Sequence, residues 1–253
     1  MGSSVASLTC LRQTDQAPHH LTKPPLMRLL CICLFVLCSA LGNSQDARKV
    51  SCRLLCLEGA AAPPPLLNLS AKGTKIPCII PPNTFSAPVI CHAKGDAITF
   101  LTASDLKPAA LATIPANVKT AIVVFAPAAN ANDSPPWRTF VIEDFPANFP
   151  DSGALVANFC SQDVRFTIDD NPVTLHTGMA HTFDRPKSLD AFNMGPLLAE
   201  FHQDDSWRTV NENLLRFAPG MRFLIYAYFD DASNRARIAT CQDIPVTKPA
   251  PKK

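Results

Sequence analysis

Short stretches of alternating apolar and polar residues recur about every ten residues from Val50 onward, and turn-forming residues separate them. The stretch "VRFTIDDNPVTLHTG", residues 164 to 178, shows the pattern. Val164, Phe166 and Ile168 face one way and Arg165 and Thr167 the other. The alternation breaks at Asp169-Asp170-Asn171-Pro172, and Val173 and Leu175 resume the apolar face. A side-chain period of two is incompatible with a helix, so the chain is predicted to be all-β. The 24 prolines and 9 glycines agree, since proline breaks helices and suits strand edges and turns.

The predicted strands are 50–57, 66–70, 75–80, 87–92, 97–103, 109–114, 119–126 and 137–143, then 154–160, 163–169, 172–177, 179–184, 196–203, 207–217 with a break, 221–229 and 235–242. Between the two runs, "EDFPANFPDSG" (143 to 153) reads as a junction. Two tandem β-sandwich modules of immunoglobulin-like size are expected, one over 43–145 and one over 150–247, with a basic tail at 248–253. The junction is expected to be open to protease, and the second module to fold alone.

The N-terminal residues 1–42 read as a leader and signal peptide, with Met27 as the start. Arg28 supplies the positive region, Leu29 to Leu41 the apolar stretch, and Ala40 and Gly42 a small-residue boundary before Asn43. That stretch falls short of the roughly 20 residues that span a bilayer. A secreted or periplasmic protein follows, in membrane contact only through the signal peptide before its cleavage.

Three of the 23 Lys and Arg residues and one of the 21 Asp and Glu residues precede Asn43, which leaves a balanced chain. A nucleic-acid partner is not expected. Six of the ten cysteines also remain: Cys52, Cys56, Cys78, Cys91, Cys160 and Cys241. Disulfides, buried free thiols and a metal site are all open readings, although no C-x-x-C is present. Cys52 and Cys56 should not pair, because four strand residues span about 13 Å and a disulfide needs Cα atoms within about 7 Å.

The acidic pairs Asp169-Asp170, Asp204-Asp205 and Asp230-Asp231 invite a calcium or catalytic reading, but Asp and Asn also favour tight turns. His176, His181 and Asp184 lie close enough in sequence to suggest a metal, yet His176 sits on an outer strand face. Glu200 and Asp204 could serve a glycosidase only if they faced each other across a cleft. No G-x-S-x-G, H-E-x-x-H, G-x-G-x-x-G or phosphate loop occurs, and no cofactor is expected. Tyr226, Tyr228 and Trp207 are the candidate ligand-binding residues, since aromatics on an open sheet face stack on sugars or peptides. A central strand covered on both sides would bury the two tyrosines instead.

The segments "KTAIVVFAPA", "WRTFVIEDFPANFPDSGALVANFCSQDVRFTIDD", "VTLHTG", "WRTVNENLLRF" and "MRFLIYAYFDD" resemble a group of uncharacterised exported bacterial proteins built from β-sandwich modules. The resemblance implies the same architecture and compartment and carries over no catalytic residues. It also points to a local disulfide at Cys160, for which Cys241 in the last strand is the candidate partner. The favoured reading is a noncatalytic module that binds a protein or polysaccharide of the cell envelope. The rival is a secreted hydrolase acting on extracellular glycans.

Overall fold

The computed structural model of the protein describes residues 47–60, 62–128, 133–230 and 233–244, all within one compact unit, Gln45–Lys253. The signal peptide, the cleavage point near Asn43 and the basic tail 248–253 lie outside the described residues. Every regular element among the described residues is a strand. The first half holds β1 (Arg48–Cys56), β2 (Leu66–Leu69), β3 (Lys75–Cys78), β4 (Val89–Ala93), β5 (Ala97–Thr102), β6 (Pro108–Thr113), β7 (Thr120–Pro127) and β8 (Trp137–Glu143). The second holds β9 (Ala154–Asn158), β10 (Val164–Ile168), β11 (Asn171–Leu175), β12 (Ala180–Phe183), β13 (Met194–Gln203), β14 (Ser206–Arg216), β15 (Arg222–Asp230) and β16 (Arg235–Asp243). Each bound falls within two residues of the sequence expectation, because alternation and turn residues are local signals.

Strand order repeats between the halves. β1 to β8 form one sheet ordered β3-β2-β5-β6-β8-β7-β1-β4, and β9 to β16 form two, ordered β11-β10-β13-β14 and β12-β9-β15-β16. Shifting each label of the second half down by eight reproduces every neighbour of the first except one, the contact between β6 and β8. That contact is a single parallel pair, Ala110 opposite Trp137. Thr139 reinforces it, its Oγ1 donating to the Leu111 carbonyl at 2.6 Å. In each half the first strand runs parallel to the seventh, β1 beside β7 and β9 beside β15.

The acidic pairs are turn residues. Asp169 and Asp170 join β10 to β11 with φ of 52° and 59°, and Asp204 and Asp205 join β13 to β14 with φ of 48° and 58°. Two successive residues at positive φ make the type I′ turn, whose twist matches the strands it connects. Asp169 also caps a neighbouring loop, accepting the Lys187 amide at 2.8 Å and the Ser188 amide at 3.1 Å. The Lys187 amide, and more weakly that of Ser188, hold its carboxyl below the usual carboxylate range. Asp230 lies at the end of β15 and pairs with Arg237 at 2.9 Å, whereas Asp231 is outside the described residues.

Three apolar clusters make the core. One fills the inside of the curled first sheet, with Leu54, Ile98, Phe100 and Phe125 among its members. A second lies between the two sheets of the second half, where Phe166, Phe201 and Phe217 meet Phe223 and Ile225. A third joins the halves: Leu55, Ile122 and Val124 of the first pack on Leu155, Leu224 and Tyr226 of the second. Strand β15 is therefore covered on both faces, with Phe223 and Ile225 turned to one cluster and Leu224, Tyr226 and Tyr228 to the other.

Charge crosses the same boundary. Arg53 of β1 contacts Asp144 at 3.0 Å and Asp243 at 2.5 Å, and Arg222 of β15 contacts the same carboxylates at 2.8 and 2.7 Å. Two guanidiniums and two carboxylates thus alternate in a closed ring that balances its own charge. Burial alone would lower the pKa of Arg53, but the hydrogen bond and charge of Asp243, and then of Asp144, outweigh it and raise the pKa. Arg222 lies 4.1 Å from the Phe149 ring centre and also donates to the Phe149 carbonyl at 3.0 Å. The junction 143–153 is therefore tied into the interface through Asp144 and the fully buried Phe149, while Phe145, Pro146, Ala147 and Asp151 are exposed. Gly153 fits there because a Cβ would lie 2.4 Å from the Phe183 carbonyl oxygen.

The expected Cys160–Cys241 bridge is absent: both are free and buried. Cys160 belongs to the cluster between the second-half sheets and Cys241 to the cluster between the halves, so the sheet containing β16 separates them.

Candidate functional site

Where β6 and β8 meet in the first half, the corresponding strands of the second half leave a cleft. It measures about 350 Å³ and lies between β14 and the β15–β16 hairpin. Phe201, Val210, Phe229 and Ala236 supply its apolar wall, and Gln162, Gln203, Asn234 and Arg235 its polar one. Phe229 is 50% exposed and Val210 44%, and here the two flank one concave surface, unlike the singly exposed Ile90, Leu111 and Leu214.

The local sequence explains the opening. Opposite Ala199 and Glu200 the β13–β14 register slips, so that Val210 is an extra residue on β14. Such a bulge bends a strand and turns its edge away from a neighbour. At the other wall, Phe229 precedes Asp230, and the hairpin ends there with Asp230 opposite Arg235. Among the described residues the cleft wall carries one guanidinium and no carboxylate. Among the described residues, Gln162 Oε1 and Asn211 Oδ1 are buried without a hydrogen-bond partner; Gln162 lines the cleft and Asn211 follows Val210. This arrangement suits an amphipathic group with hydrogen-bond donors and an apolar face.

Trp207 stands near the start of β14, three residues before the bulged Val210. The Arg165 guanidinium lies 4.5 Å from its ring centre, and His202 meets it edge-on at 5.1 Å. Arg165 also donates to Glu200 at 2.6 Å, a bond that raises its pKa. Trp207 is thus half-buried and held in place on the outer face of the sheet, where aromatic stacking was expected.

The other sequence candidates fall elsewhere. Tyr226 and Tyr228 form no open platform, because both are buried between the halves. The Tyr226 hydroxyl accepts the Glu58 amide at 2.9 Å and donates to Asn83 at 3.0 Å, so it ties the halves together. Burial pushes its pKa up. Glu200 is engaged by Arg165, while Asp204 sits in its turn beside Arg208 at 3.5 Å, so neither is a free catalytic carboxylate. His176 pairs with Asp163 at 2.8 Å, and His181 packs edge-on against Phe183, where burial lowers its pKa. Among the described residues no three His, Cys, Asp or Glu side chains are grouped to hold a metal ion.

Sequence reasoning reached Trp207 but missed the cleft. Phe229 alternates with Phe223 and Ile225, which marks it as a core residue, and no local signal reports that its covering strand is missing. No family model matches the chain, and no curated protein matches it.

Proposed function

We propose that this is an exported, noncatalytic component of the bacterial cell envelope, secreted or periplasmic, built from two tandem immunoglobulin-like β-sandwich modules. It binds an envelope protein or polysaccharide along β14, with the cleft on one side of that strand and Trp207 on the other. The observation that carries this reading is the contrast in side-chain use. The conspicuous charged groups are engaged in turns, in the four-member ring or in pairs, whereas Phe229 and Val210 are exposed at the cleft and Trp207 is half-exposed on the outer face of the same sheet. Exposed aromatic and aliphatic groups beside a concave surface are what binding sites share. The resemblance to exported bacterial β-sandwich proteins agrees with this reading, and so does the leader pattern at Met27 to Gly42.

Two measurements test it. Envelope polysaccharide fractions and envelope protein extracts are titrated against the purified full chain, the Phe229→Ser variant, and a Leu111→Ser control on the exposed face of β6. Loss of binding by about tenfold or more in Phe229→Ser alone supports the β14 site; equal binding by all three chains rejects it. N-terminal sequencing of the protein from cells should begin near Asn43, and an intact residue 1 on the stable protein would reject export.

A further inference from the structure

We propose that the cleft beside β14 takes an extended polypeptide segment of an envelope protein, which adds to the free edge of β14 as a strand and brings an aromatic side chain and a carboxylate. The inference rests on the β14 reading above and names the chemistry of its partner. The first half shows what such a seam accepts. A register slip lies at the same place in both halves: Phe100 and Leu101 lie opposite Ala110 and Pro108, and Ala199 and Glu200 opposite Asn211 and Thr209. The extra residues are Ala109 and Val210, so Ala110 corresponds to Asn211. Ala109 is small enough for β8 to lie alongside, and Ala110 pairs with Trp137, whose side chain packs on the first core. Val210 is bulkier, and among the described residues no strand pairs with β14 on its outer side.

Asn211 therefore stands where the other half has a strand with an aromatic side chain beside it, and its Oδ1 is buried without a hydrogen-bond partner. Gln162 Oε1 is a second such acceptor, in the cleft wall. Buried acceptors left open call for donors, and the N–H groups of an arriving strand are donors. The backbone of β14 is also placed to pair. Pro196 lies opposite Leu214 and has no N–H, so the two cannot exchange ladder bonds, and the Leu214 amide donates to the Asn213 side chain at 2.8 Å instead. Leu214 thus turns its backbone outward, and by the alternation of an antiparallel ladder so does Glu212. The residue of β6 that corresponds to Glu212 is Leu111, whose carbonyl is already taken by Thr139 of β8 at 2.6 Å. A polypeptide matches the regular spacing of such an edge; a polysaccharide does not.

Shape and sign narrow the choice among polypeptides. Phe229 and Val210 expose apolar surface to a space of about 350 Å³, within the range of small-ligand pockets, which gives an aromatic ring its place. Arg235 is exposed in the cleft wall and has no carboxylate partner among the described residues; Asp230, opposite it in the hairpin, is engaged by Arg237 at 2.9 Å and Ser233 at 2.6 Å. A carboxylate on the arriving strand fits that guanidinium. The chain's own tail, with Lys248, Lys252 and Lys253, has the wrong sign to fill the cleft.

The test pans the full chain against a displayed library of random decapeptides. Selected peptides should carry Trp, Phe or Tyr together with Asp or Glu, in a run free of proline. The best of them, synthesised, should bind Phe229→Ser about tenfold or more weakly than the unaltered chain, and the Leu111→Ser control as well as the unaltered chain. Arg235→Glu should invert the charge preference and favour, by about tenfold, the same peptide with its acidic residue changed to lysine. Bound peptide should slow hydrogen exchange of the Glu212 and Leu214 amides by about tenfold or more, as a new ladder requires. Basic or aromatic-free peptides, unchanged exchange at those two amides, or equal binding by Phe229→Ser would each overturn the proposal. So would an empty selection, or self-association of the chain that Phe229→Ser abolishes. Should Phe229→Ser fail to fold, Arg235→Glu on the exposed hairpin still decides. If an envelope polysaccharide binds and Phe229→Ser loses it while no peptide is selected, the β14 site stands and this inference falls.

Discussion

In the first half β8 pairs with β6; in the second half, with the same strand order, β16 comes near β14 without forming a ladder to it. The two seams differ in their side chains. β6 reads "PAALAT", and its buried Ala109, Ala110 and Ala112 leave room for Trp137 and Thr139 of β8 to close in. β14 reads "SWRTVNENLLR", bulged at Val210 and studded with Arg208, Asn211, Glu212 and Asn213. Small apolar residues permit strand contact, whereas long polar ones with a bulge keep an edge open and discourage unwanted pairing. One topology thus yields a closed, structural seam and an open one available to a partner.

The largest effects should show the halves to be equivalent in their cores. Phe125→Ala and Phe166→Ala each remove a fully buried ring, one per half, and each should cost roughly 3–5 kcal/mol in denaturant unfolding. A loss below about 1 kcal/mol in only one of them would mean that one half is loosely packed.

Next in size is the ion ring, which makes two similar halves one body. Asp243→Ala leaves two buried guanidiniums facing only Asp144 and should cost about 3 kcal/mol, the low end for breaking a buried pair. Calorimetry should find one unfolding transition in the unaltered chain. Two separate transitions there would dissolve the shared-core account; a second transition appearing only in Asp243→Ala would sharpen it.

Smaller again is the contrast between the seams. Trp137→Ala keeps the backbone pair with Ala110 but strips the side chain packed against the first-half core at the closed seam, and should cost about 2 kcal/mol, less than a fully buried Trp because Trp137 is partly exposed. Val210→Ala at the open seam should change stability by no more than about 0.5 kcal/mol, as exposed positions do. Equal losses at both sites would show that the second seam is closed in solution.

The smallest effects belong to the turns. Asp170→Gly should stabilise by about 0.5–1 kcal/mol, since φ of 59° is strained for any residue with a Cβ and glycine relieves it. Asp170→Asn should stay within about 0.5 kcal/mol and be indifferent to calcium. Calcium-dependent stability that Asp170→Asn abolishes would turn the acidic pair back into a metal site.

Alternation, proline and acidic turn pairs were enough to place all sixteen strands, because pleat and turn preferences act between residues a few positions apart. They also marked Val164, Phe166 and Ile168 as core and identified Trp207 as an outward aromatic. Long-range contact decided the rest. Both faces of β15 read as apolar in sequence, yet only packing against Leu55 and Val124 of the other half shows why Tyr226 is buried there. Cys160 and Cys241, which the resemblance offered as partners, lie on opposite sides of a sheet. The cleft was illegible for the same reason. A side chain records which face it prefers, but whether a strand arrives to cover that face depends on residues elsewhere along the chain or on the other wall of the fold.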